Sequence, residues 1–212
     1  MKLNKVLALA LSGVMAVSML AGCSGNSGNG GQEGEENKPV DNTGIVAQLD
    51  EAQKDRDADA YEASVAFVYN NDLQTALEQT VKVNGAAKNN ESTIRSGVDN
   101  LMGYKPVNFA DLNGADNKNG MTAGVQTAVT VQRVEGYTQA TAMKQLAKQI
   151  ANVLSSQGGG LSLRHDTNEL TYTYSYTGDV AVYAAEQDGI AVYYAVAVVN
   201  CTTANPVVKV TD

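Results

Sequence analysis

Residues 170–199 read LTYTYSYTGDVAVYAAEQDGIAVYYAVAVV. Leu170 to Tyr176 alternates strictly, with Tyr172, Tyr174 and Tyr176 on one side and Thr171, Thr173 and Ser175 on the other. Period-two alternation is the mark of a strand with two unlike faces. Thr177-Gly178-Asp179 reads as a break, Val180 to Ala185 as a second strand, and Asp188-Gly189 as a hairpin turn. Ile190 to Val199 is apolar almost without interruption, so a central strand covered on both faces is expected there. Pro206 to Val210 can add a short edge strand.

Upstream, Val125 to Val134 also alternates and reads as a strand with one buried face. Thr138 can cap the helix that follows. Met143, Leu146, Ala147, Ile150, Val153 and Leu154 form its apolar stripe, and Gly158-Gly159-Gly160 stops it. Asn71 and Asp72 can cap a helix bearing Leu73, Ala76, Leu77, Thr80 and Val81, and residues 92–102 read as a short third helix. Residues 45–68 carry Ile45, Val46, Leu49, Ala52, Tyr61, Val65 and Val68 at helical spacing and are expected to be helical. Residues 104–124 are rich in Asn, Asp, Gly and Lys and read as a long surface loop. Helices followed by a mainly antiparallel sheet give the class α+β, with helices packed on the sheet in a single domain over residues 44–212.

The start of the chain has a different chemistry. Lys2 and Lys5 precede an apolar run from Val6 to Met19, and Leu20-Ala21-Gly22-Cys23 follows. A basic start, a short apolar core and small residues lay out a secretory signal over residues 1–22. The run falls short of the roughly 20 apolar residues that a membrane span needs. Leu20-Ala21-Gly22-Cys23 resembles the lipobox of bacterial lipoproteins. The resemblance implies cleavage before Cys23, acylation of its thiol, and anchorage to the outer face of the cytoplasmic membrane. Residues 24–43, SGNSGNGGQEGEENKPVDNT, contain one apolar side chain, Val40, and with Cys23 form the expected flexible tether.

The whole chain carries a net charge of −8, and the signal segment removes lysines but no acidic residue. Such a chain lacks the clustered Lys and Arg that nucleic acid requires. Anionic lipid headgroups would not attract it either, so acyl chains on Cys23 are its expected membrane link. Of the two cysteines, only Cys201 then keeps a thiol, and its place after an apolar run predicts a small buried residue.

Catalytic groups are few. His165 is the only histidine, set in Arg164-His165-Asp166, and no G-x-S-x-G elbow occurs. A loop histidine is expected, so no catalytic residue, metal ligand or cofactor is assigned. Asp55-x-Asp57-x-Asp59 begins like a calcium loop, but Ala60 and Ala66 stand where glycine and a bidentate glutamate belong. Asp111, Asn113, Asp116, Asn117 and Asn119 offer oxygen donors in the 111–120 loop and are equally ordinary turn formers. Of the ten tyrosines, Tyr172, Tyr174, Tyr176, Tyr183, Tyr193 and Tyr194 gather in the C-terminal third. The Tyr172/Tyr174/Tyr176 row can be a platform for a glycan or extended peptide, or it can cover the sheet beneath the 138–156 helix.

Several stretches together resemble the CAP superfamily of cysteine-rich secretory and antigen-5-like proteins. These are Asn71-Asp72-Leu73 heading a helix, Tyr137-Thr138 opening another, and Gly178-Asp179-Val180-Ala181-Val182 before Asp188-Gly189 and Tyr193-Tyr194-Ala195-Val196. The resemblance spans residues 60–200. The family's metal pocket takes two histidines and two acidic residues, so with His165 alone the resemblance implies a member without the pocket.

The expectation is a lipid-anchored extracytoplasmic binding module at the cell envelope. A cell-wall glycan or peptide is its candidate partner, and the tyrosine row or the 104–124 loop its surface. The alternatives are an envelope hydrolase acting through His165 and an accessory subunit of a surface or transport assembly.

Overall fold

Two long strands, β4 (Leu170–Gln187) and β5 (Ile190–Thr203), form the centre of the structure, an antiparallel hairpin paired from Gln187↔Ile190 to Tyr174↔Thr203. Asp188 and Gly189 turn it with φ of 52° and 78°. Positive φ at both turn positions is the requirement of a type I′ two-residue hairpin, and Asp-Gly meets it readily. The computed structural model describes residues 41, 43–54, 63–112, 124–156, 161–166, 169–204 and 207–208. The expected signal segment, most of the tether, Asp55 to Asp59, Asn113 to Gly120 and Gly158 to Gly160 lie outside them.

The fold is α+β in one domain. Sheet order is β1-β4-β5-β2, where β1 is Ala66–Tyr69 and β2 is Gly124–Glu135. β2 pairs antiparallel with β5, and β1 parallel with β4. The short strands β3 (Arg164–Asp166) and β6 (Val207–Val208) pair with the first residues of β4. β6 continues the line of β5 after a slip of one residue, since Tyr174 faces Thr203 but Leu170 faces Val208.

The helices are α1 (Ile45–Gln53), α2 (Asn71–Asn84), α3 (Glu91–Met102) and α4 (Gln139–Ser156). None of the described helices is long and apolar enough to cross a membrane. Each face of the sheet has its own apolar layer. Ile45 and Leu49 of α1 and Met143, Leu146, Ile150 and Leu154 of α4 pack with Ala195, Ala197, Val199 and Cys201 of β5. Leu73 and Leu77 of α2 and Ile94 and Val98 of α3 pack with Val192, Tyr194, Val196 and Val198. The unbroken apolar run of β5 follows from this, because alternate residues enter different cores. β2 likewise buries both faces at its middle, Ala128 and Val134 on one side and Val129 and Val131 on the other, where one buried face was expected.

Three expectations are corrected. The helix expected over 45–68 ends at Gln53, and Ala66–Tyr69 is a strand. Val65 and Val68 fit a helical spacing, but Phe67 and Tyr69 are buried while Ala66 and Val68 are exposed, the period of a strand. Gln53 fixes its start: Val65 N–H donates to Gln53 Oε1 (2.9 Å), and Gln53 Nε2 donates to Val65 O (3.1 Å). The break expected at Thr177-Gly178-Asp179 is absent, and β4 runs straight through. Gly178 pairs with both Phe67 and Val199, and a Cβ there would collide with the Phe67 ring and Val65. The cap of α2 sits one residue early, where Asn70 Oδ1 accepts from Leu73 N–H at 3.0 Å.

Candidate functional site

The tyrosine row is in the core. Tyr172 and Tyr174 are 5 % exposed and Tyr176 8 %, all in the layer shared with α1 and α4. Of the two expected roles, this is cover for the sheet. An exposed platform is corrected, because ring faces packed against side chains cannot stack on a ligand. Tyr176 donates its hydroxyl to Ser162 O at 2.8 Å. Burial pushes the Tyr174 phenol up to about 12 and raises that of Tyr176 further. Cys201 is fully buried and its thiol is pushed up to about 11 by burial, with the neighbouring Tyr176 hydroxyl acting in the opposite direction. A thiol so protonated is a packing group and a poor nucleophile. His165 is in β3 opposite Tyr172, not in a loop, and its side chain lies outside the described residues.

Because tyrosines occupy one face of β4, the alternating hydroxyl residues occupy the other. Helices α2 and α3 cover that second face at Val129 and Val131, at Val192, Tyr194, Val196 and Val198, and at Ala181. Below, no described helix covers it. Pairing aligns Thr127, Asn200 and Thr177 in one cross-strand row, and Val125, Thr202 and Ser175 in the next. Thr173 and Thr171 extend the face to β3, opposite Arg164 and Asp166. Thr173, Ser175, Thr177 and Thr202 are exposed, while Thr127 and Asn200 are half-buried. Val68, Val125 and Val207, 59 %, 65 % and 65 % exposed, stand around the margin. Thr127 Oγ1 lies 2.7 Å from Asn200 Oδ1 and donates to it. At the far edge Arg164 pairs with Asp166 at 2.9 Å, and Thr171 donates to the same carboxylate at 2.6 Å.

This floor meets a wall where the helices begin and end. Asn70 caps α2 with its oxygen and donates its amide N–H to Asp179 Oδ1 at 3.2 Å. Gly103 ends α3 with a left-handed φ of 71°, and Tyr104 N–H returns to Asp99 O at 2.9 Å. Beyond it, Val107 N–H donates to Thr127 O at 2.9 Å, holding the start of the 104–124 stretch against the edge of β2 beside the hydroxyl floor. The Tyr104 phenol is raised by its own burial and then by the Asp179 and Asp99 carboxylates. The Asp99 carboxyl is raised by burial, with Arg95 pulling it down. Tyr104, Asp99 and Asp179 thus share one corner of the floor.

The other polar constellation is at the opposite end of the sheet. Arg133, whose side chain is 6 % exposed, donates to Ala86 O (2.9 Å), Glu135 (2.7 Å) and the Tyr194 hydroxyl (3.2 Å). Tyr194 donates in turn to Asn90 at 2.8 Å, and Lys88 pairs with Glu135 at 2.6 Å. Lys88 and then Arg133 hold the Glu135 carboxyl below its usual range. The group ties the loop between α2 and α3 to β2 and β5, with Lys88 and Arg133 both paired to Glu135, beside a cavity of about 220 Å³. A second cavity, about 280 Å³, lies between α1 and β1, where Gln53 is engaged by Val65. Among the described residues, no three His, Cys, Asp or Glu side chains converge to hold a metal ion.

Sequence reasoning looked at the aromatic face of β4, which is buried. The Thr171/Thr173/Ser175 alternation was the signal for the open one. No protein-family model, curated protein or solved structure matches this chain.

Proposed function

We propose that the chain is a lipid-anchored extracytoplasmic protein whose domain binds a component of the cell envelope without transforming it. The observation that carries this reading is Leu20-Ala21-Gly22-Cys23 placed directly after the apolar run Val6 to Met19. The polar stretch from Ser24 to Thr43 supports it as a spacer, reaching tens of Å at about 5–6 Å × √n. Two features of the domain support binding as its task. Cys201 is buried with a raised thiol, and the exposed rows around Thr177, Ser175 and Thr202 carry no charge. The reading stands without the resemblance to the cysteine-rich secretory proteins.

Membrane fractionation with metabolic palmitate labelling tests the anchor. The full chain is expected to sediment with membranes and carry the label, and Cys23→Ala to lose the label and shift to the soluble fraction. A Cys23→Ala chain that stays with the membrane would contradict the proposal.

A further inference from the structure

We infer that the uncovered half of the β2-β5-β4 face, walled by Tyr104, is the binding surface, and that it takes an extended, uncharged glycan strand. This rests on the binding-module reading above and names its ligand class.

The floor is Thr127, Asn200 and Thr177 in one row and Thr202 and Ser175 in the next. No ionisable side chain stands within those rows, although the whole chain carries −8. Hydroxyl and amide groups both donate and accept. Asn200 spends its carbonyl oxygen on Thr127, leaving its NH₂ as a donor. Outward residues along a strand repeat at about 6.7 Å and neighbouring strands at about 4.8 Å, so these groups form a regular two-dimensional array. A polymer with hydroxyls and amides along its length can satisfy such an array over several units.

Other occupants fit less well. Anionic polymers and lipid surfaces need basic groups, and among the described residues of the floor and of β3 beside it the cation is Arg164, which is paired with Asp166. An extended peptide that docks by strand addition needs a sheet edge, and one that docks on a surface uses aromatic-lined grooves, which these rows of Ser, Thr and Asn do not provide. A protein partner favours aromatic, Met and Arg side chains at the centre of its interface, where this face has Ser and Thr. The wall supplies what a glycan uses besides hydroxyls: the half-buried Tyr104 ring and, at the same corner, the Asp179 carboxylate as an acceptor.

The test is retention of the full chain, purified in detergent, on insoluble chitin as a neutral glycan and on intact peptidoglycan. Soluble chito-oligosaccharides and free stem peptides serve as competitors. Ser175→Arg with Thr202→Arg places two cations on exposed floor positions, and Lys144→Ala on the exposed face of α4 is the control. The expected result is retention on chitin that chito-oligosaccharide competes away. The double variant should weaken it at least tenfold, Tyr104→Ala severalfold, and the control should not alter it. Retention on peptidoglycan without retention on chitin, competition by stem peptides, or undiminished binding by the double variant would overturn this inference and leave the binding module standing. Failure of the unaltered chain to bind either material would overturn both.

Discussion

Cys201 and Tyr174 show how burial sets chemistry at single residues. Burial is the largest influence on both, so desolvation keeps both protonated. The thiol is raised from 9.0 to about 11 and the phenol from 10.0 to about 12. Since the folded values lie above the unfolded ones, both groups contribute stability that is complete below pH 9. It is lost as pH climbs through about 11 and then about 12. The domain should therefore unfold in alkali as its core phenols ionise, seen as a cooperative rise in phenolate absorbance together with loss of circular dichroism. In a Cys23→Ala background, thiol alkylation at pH 8 should be at least about tenfold slower in the native chain than in denaturant, because the thiolate is the reacting form. Equal rates would contradict the buried site. Sequence position alone suggested a buried Cys201, since it follows an apolar run. Which face of β4 turns inward could not be read, because tyrosine packs well in a core or on a surface.

At the scale of elements, the strongly patterned segments were legible and the short ones were not. The α4 stripe Met143, Leu146, Ala147, Ile150 and Leu154 is buried as its spacing requires, and the Asp188-Gly189 turn closes the hairpin. β1 was hidden because four residues give too little alternation to outweigh the helical spacing that runs into them from Ile45 and Leu49. Its place in the sheet depends on Gly178, far away in sequence, which leaves room for the Phe67 ring. Gly178→Ala should destabilise the domain by about 1–3 kcal/mol, the usual cost of forcing a methyl into a packed core. Urea unfolding checks this, and a variant as stable as the parent would show that β1 does not pack as described. The glycine looked like a turn because glycine in a strand and glycine in a turn are the same letter. Only the partner strand distinguishes them.

For the whole molecule, the proposed address rests on the sequence and the proposed surface on the structure. Lipid attachment at Cys23 and a polar spacer would hold the domain at the envelope. The α+β fold buries the tyrosine row and leaves the hydroxyl floor open because α2 and α3 span only part of the sheet. That coverage depends on where α2 begins, at Asn71, and where α3 ends, at Met102, and local composition could not show how far the sheet extends beyond them. The most direct test of the account is to incubate the full chain with isolated peptidoglycan and to measure both retention and release of soluble fragments. Retention with no fragments above background is the predicted result. Release of fragments, or no retention at all, would contradict a binding module.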